Sequence, residues 1–385
     1  MTHYKMSDVA VEVNDRENNP ASSKYDRFVG LEHYVSGEVI IRNYGSTENL
    51  ESTMKIFQSG DVLVARRNVY LKRASMVDFD GLTSGDSIVL RAKDPVIGRI
   101  LPFVLNTDAF WDFADQYSDG TMSKRLSPKT LMTYEFDLPD EDELEKFADL
   151  LWAANDTRES YQALLRQTDE LVKSQFIELF GDPIKNDKKW PTYRFGDVAT
   201  SRLGKMLDKK KQTGLYPKPY LANANVQWFE FDLDSLNQMD FNEDDQVEFA
   251  LEEGDLLVCE GGEVGRCAIW HEEIKDCYFQ KAIHRVRCNK ELVLPEYIAH
   301  LFYYHSQING FSDVVGSKAT IAHLPGDKLK EMRIFIPPIA LQKAFISITQ
   351  QTDKSKFVAY QETIFIEKIL KYTYNHTFRR KNNVH

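Results

Sequence analysis

The sequence has few cysteines and no long apolar run, and both absences limit what the protein can be. Its 385 residues include four cysteines, too few for a disulfide framework in a chain of this length. No stretch approaches the roughly 18 consecutive apolar residues that a membrane-spanning helix requires, and the first residues show no signal-peptide pattern. A cytoplasmic location is therefore the expectation.

The cysteines also lack the spacing of a zinc site. There is no CxxC pair, and the spacings fit no compact finger. The possible metal ligands in this region are Cys259, Cys267, His271, Cys277, His284 and Cys288. We predict reduced core thiols and no metal.

Enzyme signatures are missing as well. The chain has no phosphate-binding GxxxxGK[ST] loop, no HExxH and no NPPY-like or DPPY-like methyltransferase segment. One short nuclease-like match, Asp187-Lys188-Lys189, lies in a linker and is of a kind that occurs by chance in any charged chain. These absences predict a protein without catalytic chemistry of its own.

Positive charge is scarce overall, but it is concentrated. The chain has 48 Lys and Arg against 59 Asp and Glu, a formal net charge of −11, which taken alone argues against nucleic-acid binding. Two windows are nevertheless strongly basic. The window Val62–Val77 holds Arg66, Arg67, Lys72 and Arg73 and no acid, and the window Arg202–Lys211 holds Arg202, Lys205, Lys209, Lys210 and Lys211 beside Asp208. Segregated charge of this kind keeps a DNA-binding function open.

The sequence contains an internal repeat. Four segments of the first half recur in the same order in the second half, at offsets that drift only from 189 to 198 residues. The pairs are Met6–Ala10 with Phe195–Ala199, Gly60–Val64 with Gly254–Val258, Ser87–Arg91 with Ile283–Arg287, and Tyr134–Pro139 with Met332–Pro337. Their common order predicts two copies of one structural unit.

Each copy divides into two parts. About 140 residues of alternating apolar and polar segments, interrupted by Gly and Pro, precede about 40 residues that are rich in helix formers. In the first helix the predicted heptad positions a are Leu144, Leu151, Leu165, Val172 and Leu179, and the positions d are Phe147, Ala154 and Tyr161. The second helix is less regular, with Phe345, Phe357, Tyr360, Ile364 and Leu370 as its apolar residues and threonines at seam positions.

The predicted fold class is therefore α/β of the α+β type. It has two mixed α/β domains and a pair of long antiparallel coiled-coil helices, related by an internal pseudo-twofold repeat. The alternative is two separate amphipathic helices, each docked on its own domain.

Several segments resemble the specificity subunits of type I restriction-modification systems, over about the whole chain. They are Phe28–His33, Gly60–Arg67, Gly120–Pro128, Phe176–Pro183, Glu260–Arg266, Gly316–Ile321 and Ile336–Gln342. The resemblance implies target-recognition domain 1 at residues 1–139, a central conserved helix and linker at 140–185, target-recognition domain 2 at 186–337, and a C-terminal conserved helix with a basic tail at 338–385.

The resemblance also implies a function. Each domain would recognise one part of a bipartite, asymmetric site on double-stranded DNA, with the helices as a spacer. Two methyltransferase subunits, holding S-adenosylmethionine and flipping the target adenine, would bind the chain. Two ATP- and Mg²⁺-dependent restriction subunits would be able to join them. The chain itself would be a non-catalytic recognition subunit.

Candidate DNA-binding residues are those able to contact phosphates or base edges. They are Arg66, Arg67, Lys72, Arg73, Ser123, Lys124, Arg125, Lys205, Lys209, Lys210, Lys211, Glu260, Ser317 and Lys318. For the basic loops the alternative is a solvated surface. For the Ser-Lys segments it is a turn that braces the domain, and for Glu260 it is a structural turn. Two other functions remain open, a coiled-coil adaptor or dimerisation protein without DNA specificity, and a hidden endonuclease.

Overall fold

The structure is a computed structural model, and it describes residues 1–120, 123–208, 212–308, 310–311 and 323–377. The chain forms two compact units. Unit 1 comprises Met1–Leu165 together with the described residues from Val358 onward, and unit 2 comprises Arg166–Phe357. These units cut across the predicted four-part division, because each of the two long helices is shared between them.

Unit 1 contains the elements up to the first long helix. Its strands are β1 (Thr2–Lys5), β2 (Ala10–Val13), β3 (Arg16–Glu17), β4 (Arg27–Val29), β5 (Gly45–Ser46), β6 (Met54–Phe57), β7 (Val62–Ala65), β8 (Ala74–Met76), β9 (Gly81–Thr83), β10 (Ser87–Ala92) and β11 (Glu135–Leu138). Its helices are α1 (Met6–Val9), α2 (Pro95–Val104), α3 (Asp108–Gln116), α4 (Pro128–Leu131) and the start of α5 (Leu144–Phe180), with 3₁₀ turns at Pro20–Ser22, Leu31–His33 and Val69–Leu71.

Unit 2 contains the following elements. Its strands are β12 (Thr192–Arg194), β13 (Ala199–Leu203), β14 (Pro217–Leu221), β15 (Asn237–Asp240), β16 (Leu256–Cys259), β17 (Cys267–Ile269), β18 (Tyr278–Phe279), β19 (Ile283–Cys288) and β20 (Arg333–Phe335). Its helices are α6 (Phe195–Val198), α7 (Glu243–Glu248), α8 (Pro295–Gln307), α9 (Gly326–Glu331) and the start of α10 (Ile339–Thr377), with a 3₁₀ turn at Asn223–Asn225.

The sheets of the two units repeat each other. The four-stranded sheet of unit 1 has the order β2-β10-β7-β8, and that of unit 2 has the order β13-β19-β16-β17. A two-stranded sheet closes each unit, β1 with β11 and β12 with β20. Unit 1 adds a five-stranded sheet, β3-β6-β9-β4-β5, and unit 2 a three-stranded sheet, β15-β14-β18. The predicted repeat and the mixed α/β class are confirmed.

The central strands explain why the short apolar motifs recur. Side chains of a strand alternate between its two faces, and strand β7 is buried on both. Val62 and Val64 belong to the core that contains helices α2 and α3, whereas Leu63 and Ala65 belong to a second core. Strand β16 divides its side chains between two cores in the same way. An uninterrupted apolar run is what a strand covered on both faces requires.

Both long helices pack on both units. The start of α5 contributes Leu144, Ala148 and Leu151 to the unit 1 core, which α10 enters with Ile366 and Leu370. In unit 2 the opposite ends of the two helices are in contact, since the end of α5 packs on the start of α10. The ring centroids of Phe176 and Phe345 lie 5.5 Å apart, and Lys356 Nζ lies 2.5 Å from Asp169 Oδ1. Along α10 the residue numbers increase while those of the α5 residues in contact decrease, so the two helices are antiparallel, as predicted.

The predicted seam of α5 is correct at positions a and wrong at positions d. Leu144, Leu151 and Val172 are buried. Ala148 and Asn155, one residue beyond the predicted d positions Phe147 and Ala154, are also buried, and so are Thr168 and Phe176 further along the helix. The predicted d residues Phe147, Ala154 and Tyr161 are partly buried against the unit 1 core. The helix contacts a folded domain as well as a partner helix, so its buried face is displaced from the ideal coiled-coil stripe.

The buried face of α10 combines large apolar residues, among them Phe345, Ile366 and Leu370, with threonines. Phe357 is 65% exposed and Tyr360 is also exposed, contrary to prediction. Thr349 and Thr363 are buried, and the Thr363 hydroxyl donates to the carbonyl of Ala359 at 2.8 Å. A hydroxyl satisfied within its own helix is tolerated in a buried position.

The cysteines are packed in unit 2 as core thiols, in agreement with the prediction. Cys259, Cys267 and Cys277 are buried and free. Burial raises the pKa of Cys259 to about 11 and that of Cys277 to about 12. In the described part of the chain, no group of three metal-ligating side chains is assembled, and none of the helices there is long and apolar enough to cross a membrane.

Candidate nucleic-acid interface

The loop that follows strand β7 carries the first two candidate arginines. The Arg66 amide donates to the carbonyl of Asp86 at 2.9 Å, which fixes the backbone at the strand end. The Arg66 side chain donates through Nε to the carbonyl of Leu126 at 3.3 Å. Arg67 is half exposed, and its Nε lies 3.1 Å from Asp86 Oδ1.

A second predicted segment meets this loop. Arg125 pairs with the same Asp86 carboxylate, and Arg67 and Arg125 form an isolated β-bridge. Arg66, Arg67 and Arg125 with Asp86 are hereafter the arginine cluster. Two candidate segments that lie far apart in sequence are thus one surface.

The arginine cluster holds more positive than negative charge. Partial burial lowers the pKa of Arg66, and the neighbouring Arg125 lowers it further. The Nε of Arg125 is buried and, within the described residues, has no hydrogen-bond partner. Three guanidinium groups around one carboxylate are an arrangement that an anion such as a phosphate, or the acceptor edge of a base, would stabilise.

Ser123 and Lys124 lie beside the cluster. The Ser123 hydroxyl donates to Asn68 Oδ1 at 3.0 Å, and the Asn68 amide donates to the carbonyl of Lys124 at 3.0 Å. Lys124 Nζ lies 2.6 Å from Asp115 Oδ2. These contacts match the bracing turn that was the alternative, and Lys124 is already paired with a carboxylate.

The predicted DNA contact Arg73 ties two loops together. Its Nη1 donates to the carbonyl of Leu31 at 2.9 Å, and its Nη2 donates to the carbonyl of Arg67 at 3.2 Å. Unit 2 repeats the first contact, since Arg266 Nη2 donates to the carbonyl of Asn223 at 2.9 Å. A guanidinium that ties two loops together in both units serves the scaffold. Lys72 is half exposed and pairs at 2.8 Å with Asp108, a carboxylate that Lys371 also approaches at 3.4 Å.

Lys205 of unit 2 is also engaged. Its Nζ lies 2.5 Å from Asp245 Oδ2 and donates to the carbonyl of Asp240 at 2.5 Å. Only 20% of its side chain is exposed. We therefore leave Lys205 out of the proposed interface. The candidates Lys209, Lys210, Lys211, Ser317 and Lys318 lie outside the described residues.

Glu260 directly follows strand β16, and its backbone is held on both sides. Its amide donates to the carbonyl of Ala282 at 2.9 Å, and its carbonyl accepts from the amide of Leu324 at 2.6 Å. Its side chain is half-buried, and no ion pair engages its carboxylate in the parts of the chain that the structure describes. Nearby, burial lowers the pKa of His284, while the negative charge of Glu260 acts in the opposite direction.

Two residues of this surface were missed from the sequence. Asp86 organises the cluster, but no charge pattern marks it, and only the register that places Ser87 opposite Ala65 brings it there. Tyr70 is 67% exposed in the loop between the cations. An aromatic residue inside a basic window was a visible signal, because exposed rings stack on bases and riboses.

Comparisons with known proteins agree on one family. Residues 187–367 match the family model described as the type I restriction modification DNA specificity domain. A putative type I restriction enzyme specificity subunit of Haemophilus influenzae is 29% identical over 196 residues, which are 49% of this chain and 42% of that protein. The matched region thus spans less than half of the length of this curated relative.

Solved structures share the fold. The crystal structure of a type I restriction-modification S subunit from M. genitalium superposes with a TM-score of 0.59 at 14% identity, over 99% of this chain and 96% of that chain. A chain from a study of complex assembly and conformational transition of the type I system gives a TM-score of 0.52 at 16% identity, over 98% and 97% of the two chains. At such identities the likeness is one of fold.

Proposed function

We propose that this chain is a DNA specificity subunit of a type I restriction-modification system, as the family-model match of residues 187–367 supports, and that it recognises a bipartite, asymmetric DNA site through its two units. The observation that carries the proposal is a repeated scaffold with unlike loops. The four-stranded sheets have the same strand order, yet the arginine cluster of unit 1 has no cationic counterpart among the described residues of unit 2. Equal scaffolds with different surfaces suit two different half-sites.

The arginine cluster supplies the chemistry of a DNA contact. Arginine binds phosphates through charge-assisted hydrogen bonds and binds guanine O6 and N7 in a bidentate manner. The exposed ring of Tyr70 lies in the same loop. The acidic residues that dominate the net charge compensate this surface only in part, because the carboxylates of Asp86 and Glu12 act on three guanidinium groups.

The long helices supply a surface for partner subunits. Exposed apolar residues of α10 recur at i, i+7 and i+11 as Val358, Phe365 and Ile369, a spacing that places them on one face. An apolar stripe of this kind suits a partner helix. We infer that two methyltransferase subunits bind the chain and that restriction subunits are able to join. S-adenosylmethionine, ATP and Mg²⁺ belong to those partners in this proposal, and the chain itself carries out no chemistry.

The test is binding of the full chain, alone and with its methyltransferase partner, to a pool of randomised duplex DNA. We expect enrichment of two short sequences at a fixed spacing. The double variant Arg67→Ala/Arg125→Ala should lower affinity by orders of magnitude. If both arginines bind phosphates, the slope of log affinity against log salt concentration should also fall by about two. The matched control is Lys146→Ala on α5, an exposed lysine, which should bind as the wild type does.

The other two functions are outcomes of the same test. An adaptor or dimerisation protein would show no salt-sensitive binding to duplex DNA. A hidden endonuclease would cleave the DNA in a metal-dependent reaction without any partner. Either result would reject the proposal.

A further inference from the structure

The two units share a set of backbone contacts around their central strands. The Gly60 amide donates to the carbonyl of Val77 at 2.8 Å, and the Gly254 amide donates to that of Trp270 at 2.8 Å. Both glycines have a positive φ, 90° and 88°, which explains why glycine recurs there. Equivalent residues can therefore be assigned from hydrogen bonds rather than from sequence similarity.

The same method identifies the counterpart of Arg66. In unit 1 the amide of residue 66 donates to the carbonyl of Asp86, and the carbonyl of residue 66 accepts from the amide of Leu126, both at 2.9 Å. In unit 2 Glu260 makes these two bonds, to Ala282 and from Leu324. Glu260 is thus the structural equivalent of Arg66, and Ala282 that of Asp86.

Two more positions follow from the isolated bridges. Arg67 bridges to Arg125 in unit 1, and Gly261 bridges to His323 in unit 2. Four positions of each unit therefore form one equivalent surface, which we call the variable quartet. It consists of Arg66, Arg67, Asp86 and Arg125 in unit 1 and of Glu260, Gly261, Ala282 and His323 in unit 2.

The variable quartet differs at all four positions, while the scaffold around it is retained. Asp61 and Arg91 recur as Asp255 and Arg287 with the same bidentate contact. Arg73 recurs as Arg266, each donating to a loop carbonyl at 2.9 Å. The residues that brace the loops are thus retained, whereas all four positions that meet at the strand end are replaced.

The replacement reverses the hydrogen-bonding character of the surface. Unit 1 presents guanidinium groups, which only donate hydrogen bonds. Unit 2 presents the Glu260 carboxylate, which only accepts them when it is ionised. In the major groove guanine offers two acceptors, whereas cytosine and adenine each offer an exocyclic amino group as a donor.

We propose that the variable quartet determines base specificity in each unit, on the premise that the proposed DNA-recognition function holds. Unit 1 recognises guanine through Arg67, and unit 2 recognises the exocyclic amino group of a cytosine or adenine through Glu260. Asp86 positions Arg67 through an ion pair in which Asp86 Oδ1 lies 3.1 Å from Arg67 Nε. That contact leaves the two terminal nitrogens of Arg67 able to approach a base edge, and a guanidinium held in place loses less entropy on binding.

The experiment compares Glu260→Gln and Arg67→Gln in the full chain bound to its methyltransferase partner. Base preference is measured at every position with a randomised duplex pool. An amide both donates and accepts, so Glu260→Gln should lower discrimination roughly tenfold or more at one position of one half-site. Arg67→Gln should do the same at a guanine of the other half-site. The base for which Glu260→Gln loses its preference shows whether Glu260 recognises cytosine or adenine.

Glu291→Gln is the control, because it removes an exposed carboxylate from the same unit. It should leave both half-sites unchanged. The inference is overturned if Glu260→Gln and Arg67→Gln keep the wild-type base preferences, or if they weaken binding equally for all sequences, as loss of a phosphate contact would. A wild-type chain without any base preference would instead reject the proposed function. The two variants lie in different units, so misfolding of one leaves the other as an independent test.

Discussion

Asp61 and Arg91 form a bidentate ion pair at the start of the central strand of unit 1. Arg91 Nε donates to Asp61 Oδ1 at 2.8 Å, and Nη2 donates to Oδ2 at 2.7 Å. The Asp61 carboxylate is 2% exposed, and its hydrogen bonds raise the pKa of Arg91. The pair recurs in unit 2 as Asp255 and Arg287, with distances of 2.6 and 3.1 Å. It is a shared element of the scaffold.

We predict that Arg91→Ala destabilises unit 1 by about 3 kcal/mol. The substitution leaves the Asp61 carboxylate buried without its cation, and an uncompensated buried charge is costly. Chemical denaturation of the variant measures the loss. Arg99→Ala is the control, since Arg99 and Asp149 form an exposed ion pair that should contribute about 0–1 kcal/mol. Equal losses for the two variants would show that the buried pair is not a scaffold element.

Lys205→Ala should lower stability and leave DNA affinity unchanged. The lysine pairs with the Asp245 carboxylate, and both side chains are about one-fifth exposed, so its removal should cost about 1–2 kcal/mol. The control is Asp245→Asn, which breaks the same ion pair from the other side. Higher DNA affinity in Asp245→Asn and lower affinity in Lys205→Ala would mean that the lysine leaves its partner for a phosphate, contrary to our account.

Unit 2 should lose stability as the pH falls below about 6.5. Burial lowers the pKa of His284 and of His305, and it lowers that of His300 to about 3. The folded unit therefore binds fewer protons than the unfolded chain at mildly acidic pH. The stabilisation is fully present above the unfolded value of about 6.5 and declines as the pH falls toward the folded values.

Thermal unfolding at pH 7.5 and pH 5 measures this dependence. His300→Phe should reduce the difference between the two pH values, because the ring contacts Phe229 and Phe345 and an apolar ring has no proton to bind. His271→Gln, at an exposed position, serves as the control and should keep the wild-type difference. If His300→Phe also keeps the wild-type difference between the two pH values, His300 does not contribute to the acid sensitivity.

Shortening both long helices should change the spacing between the half-sites. We consider deletion of one heptad from each, residues 159–165 of α5 and residues 359–365 of α10, which keeps the remaining buried positions on the same face. Seven residues correspond to about 10 Å of helix, or roughly three base pairs. Selection from randomised duplexes should return the same half-site bases at a shorter spacing. Different bases at an unchanged spacing would contradict the spacer role.

The repeat was predictable because the backbone conformation and the burial at equivalent positions require the same residue types in both units. Gly60 and Gly254 need a positive φ, and Asp61 and Asp255 are buried at the same turn. The antiparallel helices followed from their apolar periodicity, but the d positions were displaced by contact with the domains. Periodicity identifies a buried face and does not say what covers it.

The candidate site was predicted only in part, because it depends on contacts between distant segments. Arg125 and Asp86 are 39 positions apart, and Lys205 and Asp245 are 40 positions apart. A basic window in the sequence does not show which of its side chains form ion pairs with carboxylates in the folded protein. For this reason Arg66, Arg67 and Arg125 remain in the proposed interface, whereas Arg73 and Lys205 do not.

The most direct test of the central claim is the methylated motif in DNA from cells that express this chain together with the methyltransferase subunit proposed to bind it. Single-molecule sequencing locates each methylated adenine. We predict one motif with two different half-sites at a fixed spacing, and Glu260→Gln should alter the bases of only one of them. Two identical half-sites, or a motif that is unchanged when the chain is replaced by a different type I specificity subunit, would contradict the account.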